Sequence, residues 1–224
     1  MMIARRPFIA SLAGAAAGAA FPTLSMLPAQ GALAAPQTLR FRAYRGDSEV
    51  GTHTVDVAQS GAQTKVSVRI DMEVSAAFIT LFAFKHQGEE VWQGGRLIAL
   101  SSRTNDNGDT YQVVGKATAD GFRIEGPGGP AIARADTYTS NSVWNTALLK
   151  RATAVDVQHG GIIGLSVKPE GRQQIAIAGN SISADKYQFV TPFIAGTIWY
   201  DGSGKWVKAT FERDGEQIDY RLEG

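Results

Sequence analysis

The most regular alternation of apolar and polar residues lies near the C-terminus, between residues 193 and 222. Residues 205–213 alternate, and after them Ile218, Tyr220 and Leu222 alternate with polar residues. A period of two places successive side chains on opposite faces of a strand, which predicts antiparallel strands with one dry face. The pair Asp214-Gly215 favours a tight hairpin turn, because both residue types tolerate a positive φ. We therefore predict three consecutive antiparallel strands here.

The same alternation recurs along most of the chain. It is cleanest at residues 65–74, where five apolar positions alternate with five polar ones, and such a pattern leaves little room for a helix. The segment 78–84 is apolar on both faces, so periodicity does not separate a buried strand from a short buried helix. Its aromatic and β-branched residues favour a strand. The pair Gly94-Gly95 predicts another hairpin turn.

Residues 140–151 are the one segment with a helical pattern. Ser140 or Asn141 is placed to cap a helix, and Val143, Trp144, Ala147 and Leu148 share one stripe. Because one helix of about three turns cannot cover a long apolar sheet face, the sheet has to curl or split into two layers. We predict a mainly β protein of about ten to twelve strands, with a single curved antiparallel sheet that forms a barrel or half-barrel and one short helix.

Composition and charge bound the function only loosely. The chain has 224 residues, 44% of them hydrophobic, 19% charged and none cysteine, so it forms no disulfide. Without Arg5 and Arg6, 20 basic side chains remain against 21 acidic ones, a net charge of −1. A chain this close to neutral lacks the excess of positive charge that is typical of nucleic-acid-binding proteins. No segment after the N-terminus is long and apolar enough to be a transmembrane helix.

The N-terminus has the pattern of an export signal. Arg5-Arg6 precedes an apolar, alanine- and glycine-rich stretch, and small residues surround Leu33. That order is typical of a cleaved signal peptide, and the paired arginines favour the twin-arginine form over the general route. We therefore predict a signal peptide over residues 1–34, a single β domain over 35–224 and a periplasmic location.

Several motifs resemble a family of exported bacterial proteins that carries only a domain-of-unknown-function label. They cover most of the chain after residue 35: Trp199-Tyr200-Asp201 with Trp206-Val207, Tyr187, Gly215 with Ile218 and Tyr220, His86 with Glu90 and Trp92, Gly95-Arg96-Leu97, Ser102 with Thr104-Asn105-Asp106 and Gly108, and Trp144-Asn145. That family is similar in layout to the half-barrels of periplasmic lipoprotein carriers. The resemblance implies an open barrel that surrounds a helix. The family has no assigned catalytic residues that could be transferred to this chain.

Two polar residues are the main candidates for site chemistry. His86 and Glu90 are four apart and precede Trp92, so an imidazole and a carboxylate could line the mouth of a pocket. The alternative is a local polar pair at a hairpin end. A zinc site would need a third ligand such as His159, which the sequence does not place nearby. The turn-forming run 104–109 lacks the calcium-loop pattern and favours a plain turn.

Three functions remain open at this stage. The first is a periplasmic binding or carrier protein for a small apolar or lipid-like ligand. It would be lined by Phe82, Trp92, Trp144 and Trp199, with His86 and Glu90 as polar orienters and residues 140–151 as a plug or lid. The second is a hydrolase- or isomerase-type enzyme with His86 and Glu90 as acid and base, and the third is a ligand-free interaction module. No serine-nucleophile context or phosphate loop is present, so no cofactor, metal or catalytic residue is predicted.

Overall fold

A computed structural model describes residues 36–76, 79–213 and 215–223. Most of these residues lie in fifteen β-strands. The strands are β1 Gln37–Arg45, β2 Ser48–Ser60, β3 Gln63–Ala76, β4 Ile79–Gln93, β5 Arg96–Asp106, β6 Asp109–Thr118, β7 Gly121–Glu125, β8 Ala131–Ala133, β9 Thr153–Val155, β10 Ile162–Gly164, β11 Ser166–Ile177, β12 Asn180–Val190, β13 Ala195–Asp201, β14 Trp206–Arg213 and β15 Glu216–Leu222. The predicted signal peptide lies outside the described residues.

Thirteen strands form one antiparallel sheet. Its order runs from β11 to β15 and then from β1 to β8, so that the first and last strands of the described chain pair in its middle. In the part of the chain that the structure describes, β8 and β11 are the edges of this sheet, and β9 pairs with β10 separately. The predicted mainly β, antiparallel layout is confirmed, with more strands than the predicted count.

The sheet is strongly curved. Trp92 on β4 and Tyr200 on β13 are six strand positions apart in the sheet, roughly 29 Å if it were flat. Yet Trp92 packs on Trp144 at a ring distance of 5.9 Å, and the Tyr200 hydroxyl donates to the adjacent Val143 carbonyl over 2.7 Å. The two halves of the sheet therefore wrap around one segment, as expected of a barrel that is not closed.

That segment, residues 134–164, connects the two edges and is called the cap here. It contains two 3₁₀ helices, Ser142–Trp144 and Thr146–Lys150, in place of the continuous helix that the sequence predicts over 140–151. The interruption is Asn145, which is extended and uses its side chain to accept from Ala147 N. Asn141 makes no capping hydrogen bond to the helix, because its amide is engaged elsewhere.

One apolar core lies between the inner face of the sheet and the cap. Fully buried side chains from distant strands meet there with Leu148 of the cap; among them are Phe41, Val55, Ile124 and Trp206. Residues 79–84 belong to β4, which confirms the strand interpretation there; Phe78 lies outside the described residues. The Gly94-Gly95 hairpin turn is also confirmed, with φ of 57° and 74°.

Candidate functional site

His86 lies on the inner face of β4, where it joins the sheet to the cap. It pairs across strands with Thr104 on β5. Its Nδ1 is 2.8 Å from the Thr104 hydroxyl, and its Nε2 is 2.8 Å from the Asn141 side-chain nitrogen. Since that amide nitrogen donates, Nε2 accepts and Nδ1 carries the proton that is donated to Thr104. His86 is thus held as one neutral tautomer.

Burial determines the protonation of His86. The side chain is 2% exposed, and desolvation lowers its pKa to about 4, although the Asp156 carboxylate acts in the opposite direction. At neutral pH the ring carries no charge. Nε2 is then unprotonated and accepts the hydrogen bond from Asn141 of the cap.

Glu90, four residues further along β4 on the same face, makes the second connection to the cap. Its Oε2 accepts from Trp92 Nε1 over 2.8 Å, and its Oε1 accepts from the Thr139 hydroxyl, which also lies 2.9 Å from Ser142 Oγ. Burial raises the pKa of this carboxyl, and the Thr139 and Trp92 donors oppose that effect. The Trp144 indole N–H opposes it weakly, because it lies near the carboxyl without completing a hydrogen bond.

His86 and Glu90 therefore do not act on each other. Each bonds to a different cap residue, and Gly88 lies between them on the same face of β4. This arrangement does not supply the shared acid–base pair on which the enzyme hypothesis depends. The two sets of hydrogen bonds instead fix the cap to the sheet.

Gly88 gives the cap its close approach, and this leads to a prediction. A Cβ at position 88 would lie 3.1 Å from both the Asn141 side-chain nitrogen and His86 Nε2. We expect Gly88→Ala to lower the free energy of unfolding by about 1–3 kcal/mol through overpacking. Urea titration measures the loss. Gly164→Ala is the matched control, because Gly164 is a strand glycine whose added Cβ meets nothing within 4 Å; equal losses in both variants would refute the close-approach argument.

His53 is a second buried histidine, and no role was predicted for it from the sequence. It is 5% exposed and is surrounded by the rings of Phe41, Trp206 and Tyr220 at 6.3, 5.3 and 5.6 Å. Within the described residues neither ring nitrogen has a hydrogen-bond partner. Burial, and then the proximity of His86, lower its pKa to about 3. The only sequence signal for this residue is a polar side chain at an inward position of β2, in phase with Val55.

Aromatic residues cluster at the end of the sheet away from Glu90. On one side Phe189 contacts Phe211 at 6.3 Å, Phe211 contacts Tyr220 at 5.4 Å, and the Tyr220 hydroxyl lies 3.9 Å from Met72 Sδ. Met72 pairs across strands with Phe84, which stacks on Phe82 at 6.4 Å. We call this set the aromatic end; it comprises Met72, Phe82, Phe84, Phe189, Phe211 and Tyr220. Phe82, Phe84 and Phe211 are only partly buried, unlike the core.

Of the predicted lining residues, the structure brings together His86, Glu90 and Trp92 of β4 with Trp144 of the cap. Phe82 lies apart from them, at the aromatic end. Trp199 lies on the opposite face of the sheet, in a separate small cluster with Val207, and Lys186 and Lys208 lie over its ring at 5.8 and 5.0 Å. Successive side chains of a strand point to opposite faces of the sheet, so Trp199 and its neighbour Tyr200 have different surroundings.

The partners of His86 and Glu90 were not identifiable from the sequence. Thr104 is 18 residues from His86, and Asn141 and Thr139 are about 50 residues from the strand they contact. Within the described residues no three histidine or acidic side chains group as metal ligands. The run 104–109 forms a hairpin turn in which the Asn105 side chain accepts from Gly108 N, as predicted. None of the helices in the described part of the chain has the length and apolarity needed to cross a membrane.

Comparison with known proteins supports the fold and assigns no activity. No curated protein matches the chain in sequence. A crystal structure described as a beta-barrel-like protein of domain of unknown function DUF1849 from Brucella abortus is similar, with a TM-score of 0.61 and 9% identity over 84% of this chain and 95% of that one. At this identity the similarity concerns the fold alone. A family model described as Domain of unknown function (DUF6134) matches residues 41–223, and the chain therefore belongs to that family.

Proposed function

We propose that this protein is an exported binding or carrier protein that takes up an apolar, lipid-like molecule at the aromatic end. The observation that carries the proposal is the position of Phe82, Phe84 and Phe211: they are inner-face side chains continuous with the core, yet they remain partly exposed. Apolar surface that a monomer leaves partly exposed inside a concave sheet is a typical ligand contact. Each 100 Å² of it removed from water contributes about 2.5 kcal/mol to binding.

The cap supports this location. Along β4 the inner-face positions run from Phe82 and Phe84 to His86, Gly88 and Glu90. The last three contact the cap, so the cap closes that part of the inner face while the aromatic end lies beyond it. A ligand that enters at the aromatic end therefore meets aromatic rings first and does not need to displace the cap.

Export is the second part of the proposal, and it rests on the sequence alone. The Arg5-Arg6 pair, the apolar stretch after it and the small residues around Leu33 are typical of a cleaved signal. A periplasmic location gives a lipid-binding protein access to both membranes of the envelope. The absence of cysteine means that the domain would rely on its core and its cap contacts for stability there.

Two measurements test the proposal. Native mass spectrometry of protein purified from the periplasm should reveal a bound apolar mass that an organic solvent extracts. The fluorescent probe N-phenyl-1-naphthylamine should bind saturably to the extracted protein. Phe84→Gln with Phe211→Gln should weaken probe binding about tenfold, the equivalent of burying some 50 Å² less apolar surface.

The matched control replaces exposed apolar residues outside the aromatic end. Val114→Gln with Ile132→Gln changes the same number of apolar side chains, which are 50% and 48% exposed. Probe binding should be unchanged in this variant. The proposal fails if no mass co-purifies and the probe does not saturate, or if both double variants weaken binding equally.

A further inference from the structure

A row of polar side chains crosses six adjacent strands on the outer face of the sheet. Each member pairs across strands with the next, from β1 to β6. Because directly opposed residues point to the same face, the whole row is on one surface. In strand order it consists of Arg40, Thr54, Arg69, Gln87, Arg103 and Gln112.

The three arginines occupy alternate strands. Neighbouring strands are about 4.8 Å apart, so the guanidinium groups project at intervals of roughly 10 Å. All three arginines are exposed, and the side chains of Arg40 and Arg69 are each 61% exposed. A neutral hydrogen-bonding side chain, Thr54 or Gln87, separates each pair. The row is therefore a regular ladder of positive charges with polar positions between them.

Two adjoining clefts contain this ladder. One has a volume of about 520 Å³ and includes Arg40 and Arg69, and the other has a volume of about 350 Å³ and includes Arg69 and Arg103. Arg69 and Gln87 line both, so the two clefts adjoin along the row, and together they are called the groove here. Hydroxyl groups of threonine and serine residues line its sides.

The cations of the groove are only loosely paired within the protein. Arg40 is 3.8 Å from Glu223, Arg69 is 3.4 Å from Asp56, and Lys85, also in the groove, is 3.6 Å from Asp71. Elsewhere on the surface, arginine–carboxylate pairs have distances of 2.5–3.0 Å. Within the described residues Arg103 has no ion pair. The guanidinium groups of the groove are thus available to an incoming anion.

We infer that this groove binds an extended acidic polysaccharide, independently of the ligand proposed for the aromatic end. Guanidinium groups bind carboxylates with two parallel hydrogen bonds, so the ladder fits a chain whose carboxylates recur at intervals. Gln87, Thr54 and the flanking acids Asp56 and Asp71 fit the hydroxyl groups between those carboxylates, as acceptors and donors.

A nucleic acid is a poorer fit to the same groove. No phenylalanine, tyrosine or tryptophan lines either cleft, and His86 is buried on the inner face of the sheet, so the groove offers no platform for stacking bases. Asp56, Asp71 and Glu89 would also repel a chain that carries a charge on every residue at close intervals. A polymer of sparse charge and many hydroxyls avoids both difficulties.

The test uses fluorescein-labelled hyaluronate, a linear chain in which a sugar acid alternates with a neutral sugar, with the purified protein in fluorescence anisotropy titrations. We expect saturable binding that weakens as salt is raised, because screening reduces attraction between exposed charges. Replacing Arg40, Arg69 and Arg103 together by glutamine should raise Kd about tenfold, the effect of three exposed ion pairs of ordinary strength. These exposed side chains are outside the core, and a circular dichroism melt checks that folding is unaffected.

The control removes the same charge elsewhere. Lys116→Gln, Arg123→Gln and Lys168→Gln change three exposed cations outside the groove, and this variant should bind hyaluronate as the unmodified protein does. Equal weakening in both triple variants would overturn the inference, because net charge alone would then account for binding. It would also be overturned by equal affinity for neutral dextran, or by tighter binding of a duplex DNA of matched length. Probe binding at the aromatic end should be the same in both triple variants.

Discussion

Replacing Glu90 with glutamine is expected to leave the protein folded, whereas replacing it with alanine should lower the free energy of unfolding by about 2–4 kcal/mol. Glutamine can still accept from Trp92 through its oxygen and can donate to the Thr139 hydroxyl through its nitrogen. Alanine leaves both partners without a hydrogen bond inside the core and opens a cavity. Urea titrations of the three proteins at one pH measure the difference.

The pH dependence makes the Glu90 prediction sharper. Because burial raises the pKa of Glu90 in the folded state, the folded protein retains a proton that the unfolded chain releases. That contribution to stability is complete below the ordinary carboxyl pKa and is lost, by up to about 1.4 kcal/mol per pH unit, as pH rises towards the raised value. Glutamine does not titrate, so the advantage of Glu90→Gln over the unmodified protein should grow with pH. A constant difference, or a loss as large as that of alanine, would contradict a raised pKa of Glu90 in the folded protein.

Acid should destabilise the protein through His53 and His86. Burial lowers the pKa of these rings to about 3 and about 4 from the ordinary histidine value of 6.5, so below pH 6.5 the unfolded state binds protons that the folded state excludes. Stability is therefore complete above pH 6.5 and falls as pH decreases towards those values. At pH 4 each ring accounts for about 3 kcal/mol, a large share of the stability of a typical domain.

His53→Phe isolates one of the two rings. Neither nitrogen of His53 has a partner in the described structure, and its neighbours are aromatic, so phenylalanine removes the titrating group without removing a hydrogen bond. The variant should unfold at a lower pH than the unmodified protein, and its stability advantage should grow from pH 6.5 to pH 4. The half-exposed His159 provides the control substitution, His159→Gln. If the free energy of unfolding of His53→Phe fell between pH 6.5 and pH 4 as steeply as that of the unmodified protein, His53 would not be a source of the acid destabilisation.

Local pattern determined most of the fold. Alternation at period two appears where the strands are, and the turn residues between them, such as Gly94-Gly95 with its positive φ values, set the hairpins. The need to cover a long apolar face with little helix then predicted curvature, because burial depends on how much apolar surface exists and not on which element covers it. The helix over 140–151 was less well predicted, since Asn141 and Asn145 take part in contacts that interrupt it.

The sequence by itself therefore determined the strands and their turns, which follow from neighbours a few residues apart. It also determined the curvature of the sheet, which follows from the total apolar surface that has to be covered. Only the tertiary structure decided which polar residues meet: His86 with Asn141, and Glu90 with Thr139, across about 50 residues of chain. It also separated Trp199 from Trp92 and aligned Arg40, Arg69 and Arg103 on alternate strands. Such contacts depend on the register of the strands and on the path of the cap between the two edges of the sheet. No periodicity along the chain encodes either of these.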